Sequence, residues 1–339
     1  MTMAAARNRA VRFARPVHGL LATDHFDLVE SDVVAPESGQ VLVENAWLSL
    51  DPYQRRQMMP GVRYARPLHV GDVMSGRTMG RVVESRSPGL VPGDWVRGAL
   101  GWQTWATVAA SEVERIELDG FAPSAYLGVL GSPGLTAWVG VRVVAALRPA
   151  ETMVVSAATG AVGSVVVALG RATGATVVGV AGGPAKCEDA VRRLGCNACV
   201  DHRSATFESD LLVATPSGVD VDFENVGGPV FDAVLGRLND FARVALCGMV
   251  SQYNLAEPYG MRRIAELLNK NAMLQGFRVA NYQMHRSDAE REIKLLAQSG
   301  VLTIAESVVD GLENAPAAFV GLLGGSNTGK QLVRLGGLT

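Results

Sequence analysis

The pattern of apolar and polar positions changes about a third of the way along the chain. Up to about residue 128, apolar residues come in short runs that alternate with polar ones, the period of strands. Ala10-Val11-Arg12-Phe13-Ala14, Gln40-Val41-Leu42-Val43-Glu44-Asn45 and Gly80-Arg81-Val82-Val83-Glu84 follow this pattern. Leu90-Val91-Pro92-Gly93-Asp94-Trp95-Val96 reads as a Pro-Gly turn entering a strand. Helical periodicity is sparse here, so an irregular β-barrel-like domain is expected.

From about residue 130, continuous apolar runs of strand length alternate with helical stretches. Thr152–Ser156, Ala175–Ala181, Ala198–Asp201, Val219–Phe223 and Ala242–Cys247 read as buried parallel strands. Ala161–Thr173, Pro184–Leu194 and Pro229–Leu238 read as the helices between them, the second with Pro in its first turn. This spacing of βαβ units predicts a doubly wound parallel sheet. Glu290–Leu296 and Asn314–Leu323 are expected helices, and Lys330–Leu335 alternates as a strand. That last strand resembles the first domain, so the C-terminus is expected to return to it. The predicted division is residues 1–128 with 304–339, and residues 129–303.

Composition narrows the class. The 339 residues are 48% hydrophobic and 19% charged, which favours packed cores over disorder. Lys and Arg number 31 against 33 acids, so no global field invites nucleic acid or an anionic membrane. No apolar run reaches the length of a membrane span. The Ala- and Arg-rich start, Met1 to Arg15, permits a transit peptide, but its alternation favours a first strand. A soluble, cytoplasmic protein is expected. The four cysteines, Cys187, Cys196, Cys199 and Cys247, suit a reducing compartment. Cys196 and Cys199 have C-x-x-C spacing, yet no second pair and no His-x-x-His accompany them. Cys199 is therefore expected to fill a buried strand, with Cys196 in the turn before it.

The strongest chemical signal is Ser156-Ala157-Ala158-Thr159-Gly160-Ala161-Val162-Gly163. It follows a predicted strand and opens a predicted helix, as a dinucleotide-binding loop of a Rossmann domain requires. Gly160 would let the backbone approach a pyrophosphate, and Gly163 would permit helix-on-strand packing. The N–H groups of Thr159 to Gly163 and the helix dipole would face the phosphates. Ala158 stands where the fingerprint has its first Gly. The second strand ends Val180-Ala181-Gly182-Gly183-Pro184, without the acid that accepts from the ribose in NAD sites. A carboxylate about 4 Å from a 2′-phosphate would cost on the order of 4 kcal/mol per unit charge at an effective dielectric of about 20. Its absence, with Lys186 nearby and His202 and Arg203 after the third strand, favours NADP(H) over NAD(H).

At this point the chain resembles the zinc-independent medium-chain dehydrogenase/reductases, in the branch of prostaglandin reductase and the alkenal double-bond reductases. The resemblance rests on Asp51-Pro52-Tyr53, Gly71-Asp72-Val73-Met74-Ser75-Gly76, Ala157–Ser164, Glu224-Asn225-Val226-Gly227-Gly228, Cys247–Asn254 and Glu313–Phe319. It implies a GroES-like β-rich catalytic domain beside the Rossmann domain, a homodimer, and NADPH-dependent reduction of the C=C bond of an α,β-unsaturated ketone or aldehyde. It also implies that Asn225 and Cys247, Gly248, Met249, Val250, Ser251 and Tyr253 line the cofactor cleft. Phe277, Arg278 and Val279 would flank the nicotinamide, Asn327 would reach the cofactor, and Tyr53 would face the substrate. Two positions depart from the pattern. His202, with Arg203 beside it, stands where relatives often have a Tyr that touches the 2′-phosphate. Asn269 falls near a Tyr proposed in relatives to hold the substrate carbonyl.

The residues bear on the reaction independently. The first domain has no cysteine, so Cys-based catalytic zinc is excluded there, and His18, His25 and His69 lack ligand spacing. No metal site is expected. Conjugate reduction suits a metal-free cleft, since the enolate needs only a few hydrogen-bond donors and a proton. The alternatives are a quinone reductase or secondary-alcohol dehydrogenase on the same scaffold, and a catalytically weak NADPH-binding structural protein. Trp47, Trp102 and Met249 are assigned to the core rather than to a pocket.

Overall fold

The computed structural model describes residues 6–59 and 66–336, so part of the N-terminal stretch weighed as a transit peptide lies outside the described residues. The chain divides into two compact units, Met1–Leu127 with Glu306–Thr339, and Gly128–Ala305.

In the first unit, β1 (Arg7–Phe13) pairs antiparallel with β2 (Phe26–Asp32). The main sheet is built from β3 (Gln40–Ser49), β4 (Thr78–Ser85), β5 (Trp95–Gly98), β6 (Trp105–Ala109) and β7 (Val113–Arg115). A short helix, α1 (Tyr53–Gln57), follows β3. The second unit carries α2 (Ser132–Trp138), β8 (Thr152–Ser156), α3 (Gly163–Thr173), β9 (Thr176–Ala181), α4 (Pro184–Arg192), β10 (Ala198–Asp201), α5 (Phe207–Ala214), β11 (Val219–Glu224), α6 (Gly228–Leu235), β12 (Leu238–Leu246), α7 (Glu266–Asn269), β13 (Met273–Gly276) and α8 (Arg286–Gln298). The chain then returns to the first unit as β14 (Glu306–Asp310), α9 (Ala315–Leu323) and β15 (Lys330–Arg334).

The order of the first unit's sheet is β14-β15-β3-β4-β5-β7, with β6 pairing the other side of β3. β15 joins β3 antiparallel, with Leu332 opposite Ser49, so the returning tail completes this sheet. Its core is aromatic: Trp102 stacks on Phe26 at 5.7 Å, and Phe319 of α9 meets the Trp102 ring edge-on at 5.4 Å. Trp102 is therefore core, as its apolar context predicts, whereas Trp47 is half-buried with the Arg334 guanidinium over its ring.

The second unit is a six-stranded parallel sheet in the order β10-β9-β8-β11-β12-β13. This is a doubly wound parallel sheet, as the strand–helix alternation predicts. β8, β9 and β11 are buried along most of their length, which is why they read as apolar runs rather than alternations. α3 is apolar on every side, Val165, Val166, Val167 and Leu169 being fully buried, and it stops at Gly174 in a left-handed conformation. The order reverses between β8 and β11, the switch point where ligands bind in such sheets.

The cysteine expectation needs correction. Cys196, in the turn, is the buried one, and Cys199 on β10 is half-buried. β10 is an edge strand, so burial there depends on the helices that cover it, while Cys196 is drawn in by its N–H to Ala190 O, 2.9 Å. Cys187 of α4 joins them through a thiol hydrogen bond to Cys199.

Candidate cofactor and substrate site

The loop between β8 and α3 turns tightly over the Ala157 carbonyl. Ala157 itself adopts φ +50°, a strained conformation for a non-glycine residue. The Gly160 N–H donates to Ala157 O at 2.9 Å. A Cβ at Gly163 would lie 2.2 Å from the same oxygen, so only glycine lets α3 start this close to the strand end. A Cβ at Gly160 would be 3.1 Å from it, tight but less severe. Ala158, in the fingerprint's first glycine position, is fully buried and donates its N–H to Val180 O. Its methyl is accommodated because β9 has Gly179 opposite, where a Cβ would come within 2.9 Å of it.

At the end of β9 two basic side chains come together. A Cβ at Gly182 would lie 3.0 Å from both Arg203 Nε and His202 Nε2. Burial and then the Arg203 charge lower the Lys186 pKa. His202 is also lowered, by burial first and by Arg203 second. Three basic groups that penalise one another's charge fit a bound phosphate, which would relieve that repulsion. Sequence reading missed Asp201 in this corner. It is not a ribose acceptor at the end of β9. It ends β10 and accepts the N–H groups of Gly183 and Arg203 at 2.8 and 2.9 Å. Those backbone bonds are the main reason its pKa is lowered, and they hold the two basic loops together.

The segments expected to line the cleft gather at the carboxyl ends of β11 and β12. Asn225 donates its N–H to Ser156 Oγ and its side-chain amide to Ser156 O, both at 2.7 Å. The following loop is zipped to Cys247–Tyr253: the Cys247 and Gly248 N–H groups donate to Glu224 O, Val250 N–H to Asn225 O and Ser251 N–H to Val226 O. A Cβ on Gly227, at φ +72°, would sit 3.0 Å from Met249 Cβ, so half-buried Met249 packs on the loop. Tyr253 lies just beyond, its hydroxyl 3.6 Å from where a Gly248 Cβ would be. Cys247 keeps some surface, but its thiol is enclosed, and burial and the Glu224 carboxyl push it up to about 12. It lines the wall as a thiol. Phe277, after β13, meets Phe223 and Tyr282 edge-on, both at 6.3 Å, and Arg278 and Val279 continue from it.

β11 also carries two buried acids that the sequence reading did not single out. Asp222 and Glu224 lie two residues apart on one face, both fully buried. Glu224 accepts the N–H groups of Val226 and Gly227, which shapes the Asn225–Gly228 turn. Burial raises it to about 7. Both Asp222 oxygens lack a partner among the described residues, and burial and Glu224 push its pKa well up.

In the first unit, Tyr53 opens α1, and Asn327 donates its amide to Gly329 O at 2.7 Å in the turn before β15. Asn269 stands apart from these loops within the chain. It is exposed at the end of α7, before the start of β13, whereas the cofactor loops leave the strands at their opposite ends. The segment Leu267-Leu268-Asn269-Lys270 gives no pattern that would reveal which end of the sheet it occupies. Among the described residues, no group of three or more His, Cys, Asp or Glu is placed to hold a metal ion.

One unit with a doubly wound sheet and this loop, and another that is β-rich and completed by the tail, define a nucleotide-linked oxidoreductase architecture. Residues 9–116 match the family model described as the N-terminal domain of oxidoreductase, and residues 161–298 the one described as zinc-binding dehydrogenase. The chain belongs to the zinc-independent branch of the medium-chain dehydrogenase/reductases. It is 43% identical over 337 residues to the NADPH-dependent curcumin reductase of Escherichia coli, covering 98% of each chain. It is 36% identical over 304 residues to the NADP(+)-dependent 2-alkenal reductase of Nicotiana tabacum, covering 87% of each. Among solved structures, CurA of Vibrio vulnificus in complex with NADPH superposes with a TM-score of 0.93 at 38% identity, covering 98% of this chain and all of that one.

Proposed function

We propose that the protein is an NADPH-dependent reductase of the C=C bond of α,β-unsaturated ketones or aldehydes. The observation that carries the cofactor half is the meeting of His202 and Arg203 at Gly182, with Lys186 near enough to feel the Arg203 charge and no acid at the end of β9. The substrate half rests on the curcumin and 2-alkenal reductases, to which the chain is similar across most of its length. Bound NADPH would supply the hydride for the β-carbon. The N–H groups of Thr159 and of Ala161 to Gly163 would hold the pyrophosphate at the start of α3, that of Gly160 being committed to Ala157 O. Asn225, the Cys247–Tyr253 wall and Phe277–Val279 would orient the nicotinamide half at the ends of β11, β12 and β13. Asn327 would add a contact from the returning tail. Tyr53 would donate a hydrogen bond to the carbonyl oxygen as enolate charge develops, the step at which a positioned donor stabilises most.

We further infer a cytoplasmic homodimer acting on small molecules. A reducing compartment suits the four free thiols. Among the described residues the outer edge of β13 is unpaired, and Met273, Leu268 and Phe241 nearby are exposed, which is the kind of edge a second copy covers. Among the described residues, no helix is long and apolar enough to cross a membrane.

The test is NADPH oxidation followed at 340 nm with a 2-alkenal, a cyclic enone, a quinone and a secondary ketone, with products analysed by mass. Saturated carbonyl products from the first two are expected. Turnover confined to the quinone or the ketone, or faster turnover with NADH, would overturn the reading.

A further inference from the structure

Within the first unit, the residues just before Tyr53 are tied to the returning tail by a buried charge. Lys330, the first residue of β15, is 3% exposed. Its ammonium donates to Asp51 Oδ1 at 2.6 Å and to Leu50 O at 2.7 Å. The second Asp51 oxygen accepts from Ser49 Oγ at 2.5 Å. The Asp51 N–H donates to Gln54 Oε1, and the Gln54 amide donates onward to Ser75 O. Ser75 Oγ donates to Gln57, whose amide reaches Arg66 O. Every polar link therefore converges on the loop entering α1 or on α1 itself. Gln54 and Gln57 are buried, so solvent does not replace these bonds easily. Glu306 stands opposite Lys330 in the β14–β15 register and adds a second acid on the tail side.

A five-residue helix is too short to hold its own geometry in water. Something outside α1 must fix it, and the ion pair is the strongest such contact. We propose that Lys330 and Asp51 are positioning residues for Tyr53: their buried pair pins the start of α1, and so the Tyr53 hydroxyl, to the strand completed by the C-terminal tail. This rests on the reading of Tyr53 as the carbonyl donor.

The experiment compares Lys330→Met, Lys330→Met/Asp51→Leu, Tyr53→Phe and the triple variant at 20 °C, after unfolding curves confirm that each is folded. The double variant guards against misfolding caused by a lone buried carboxylate. Expected are faster hydrogen exchange over residues 50–58 in both Lys330 variants and a fall in kcat of about 10-fold or more, since a displacement of about 1 Å at a reacting group has effects of this size. Affinity for NADPH should stay within about two-fold, because the basic cluster and phosphate loop belong to the other unit. Tyr53→Phe should lower kcat by a similar or larger factor, and adding the Lys330 and Asp51 changes to it should cost little more. Unchanged exchange over residues 50–58, or losses fully additive with Tyr53→Phe, would overturn the proposal. Wild-type kcat in Tyr53→Phe together with faster exchange in the Lys330 variants would overturn the role of Tyr53 while leaving the clamp in place.

Discussion

Replacing Asp222 by valine should make the protein more stable, although it deletes a charged residue from the centre of the parallel sheet. Asp222 lies opposite Val154 of β8 and Val244 of β12, both fully buried. Neither of its oxygens has a partner among the described residues. A buried polar group left without a hydrogen bond costs about 1–3 kcal/mol. Valine has nearly the shape of aspartate and adds two methyls to apolar surroundings, at roughly 0.8 kcal/mol each. A net gain of about 2–4 kcal/mol follows, within the range of roughly 1–4 kcal/mol found when buried ionic groups give way to apolar ones. At roughly 2–4 °C per kcal/mol for a unit of this size, Tm should rise by about 4–16 °C.

The sign with pH is fixed by the direction of the shift. The folded-state pKa of Asp222 is raised, so its contribution is fully present below the unfolded value near ~4 and is lost as pH rises towards the folded one. The advantage of Asp222→Val should therefore widen between pH 5 and 8. Asp222→Asn, which mimics the protonated acid, should stay near wild type at pH 5 and gain on it at pH 8. Thermal unfolding at four pH values, read by circular dichroism, decides the matter. A valine variant destabilised by more than about 1 kcal/mol at pH 8 would refute the reasoning, since it would mean that the carboxyl has a partner whose removal is costly.

The same physics gives two further expectations. His202 is held low by burial and by Arg203 in the free protein, and a bound 2′-phosphate would favour its protonation. NADPH should therefore bind about two- to five-fold more tightly at pH 6.5 than at pH 8, with no such slope for NADH. Equal slopes for both cofactors, or an unchanged slope in His202→Phe, would exclude this residue as the cause. Phe319→Ala should destabilise the protein by about 3–5 kcal/mol, because it empties the space beneath Trp102 and Phe26; a loss under about 1 kcal/mol in urea would show that α9 contributes little to that core.

The second unit was legible because its signal is local. β8 and β10 begin and end at the residues predicted from their apolar runs, and the loop to α3 announces itself by Gly160 and Gly163. β2 was not legible: nearly all its positions are exposed, so no hydrophobic alternation marks it. Asp201 was equally hidden, because it matters through the distant Gly183 N–H. Glu224 holds a turn through N–H groups only two and three residues on, but its burial, which makes those bonds count, is set by the neighbouring strands. Asn269 was hard to place for a related reason: a four-residue helix carries too little pattern to say at which end of the sheet it lies.

The partnership of Ala158 and Gly179 bears on how such chains change over time. The space between the loop and β9 holds the Ala158 methyl, and a Cβ at Gly179 would crowd both that methyl and the Cys196 and Cys199 sulfurs. Substituting Gly179 alone creates a collision, and substituting Ala158 by Gly alone leaves a void. A swap of the two occupants must pass through one of these poorer states. The two positions should therefore be inherited as a unit, and a search for nucleotide-binding loops that insists on three glycines would pass over chains that have Ala at the first and a glycine on the neighbouring strand.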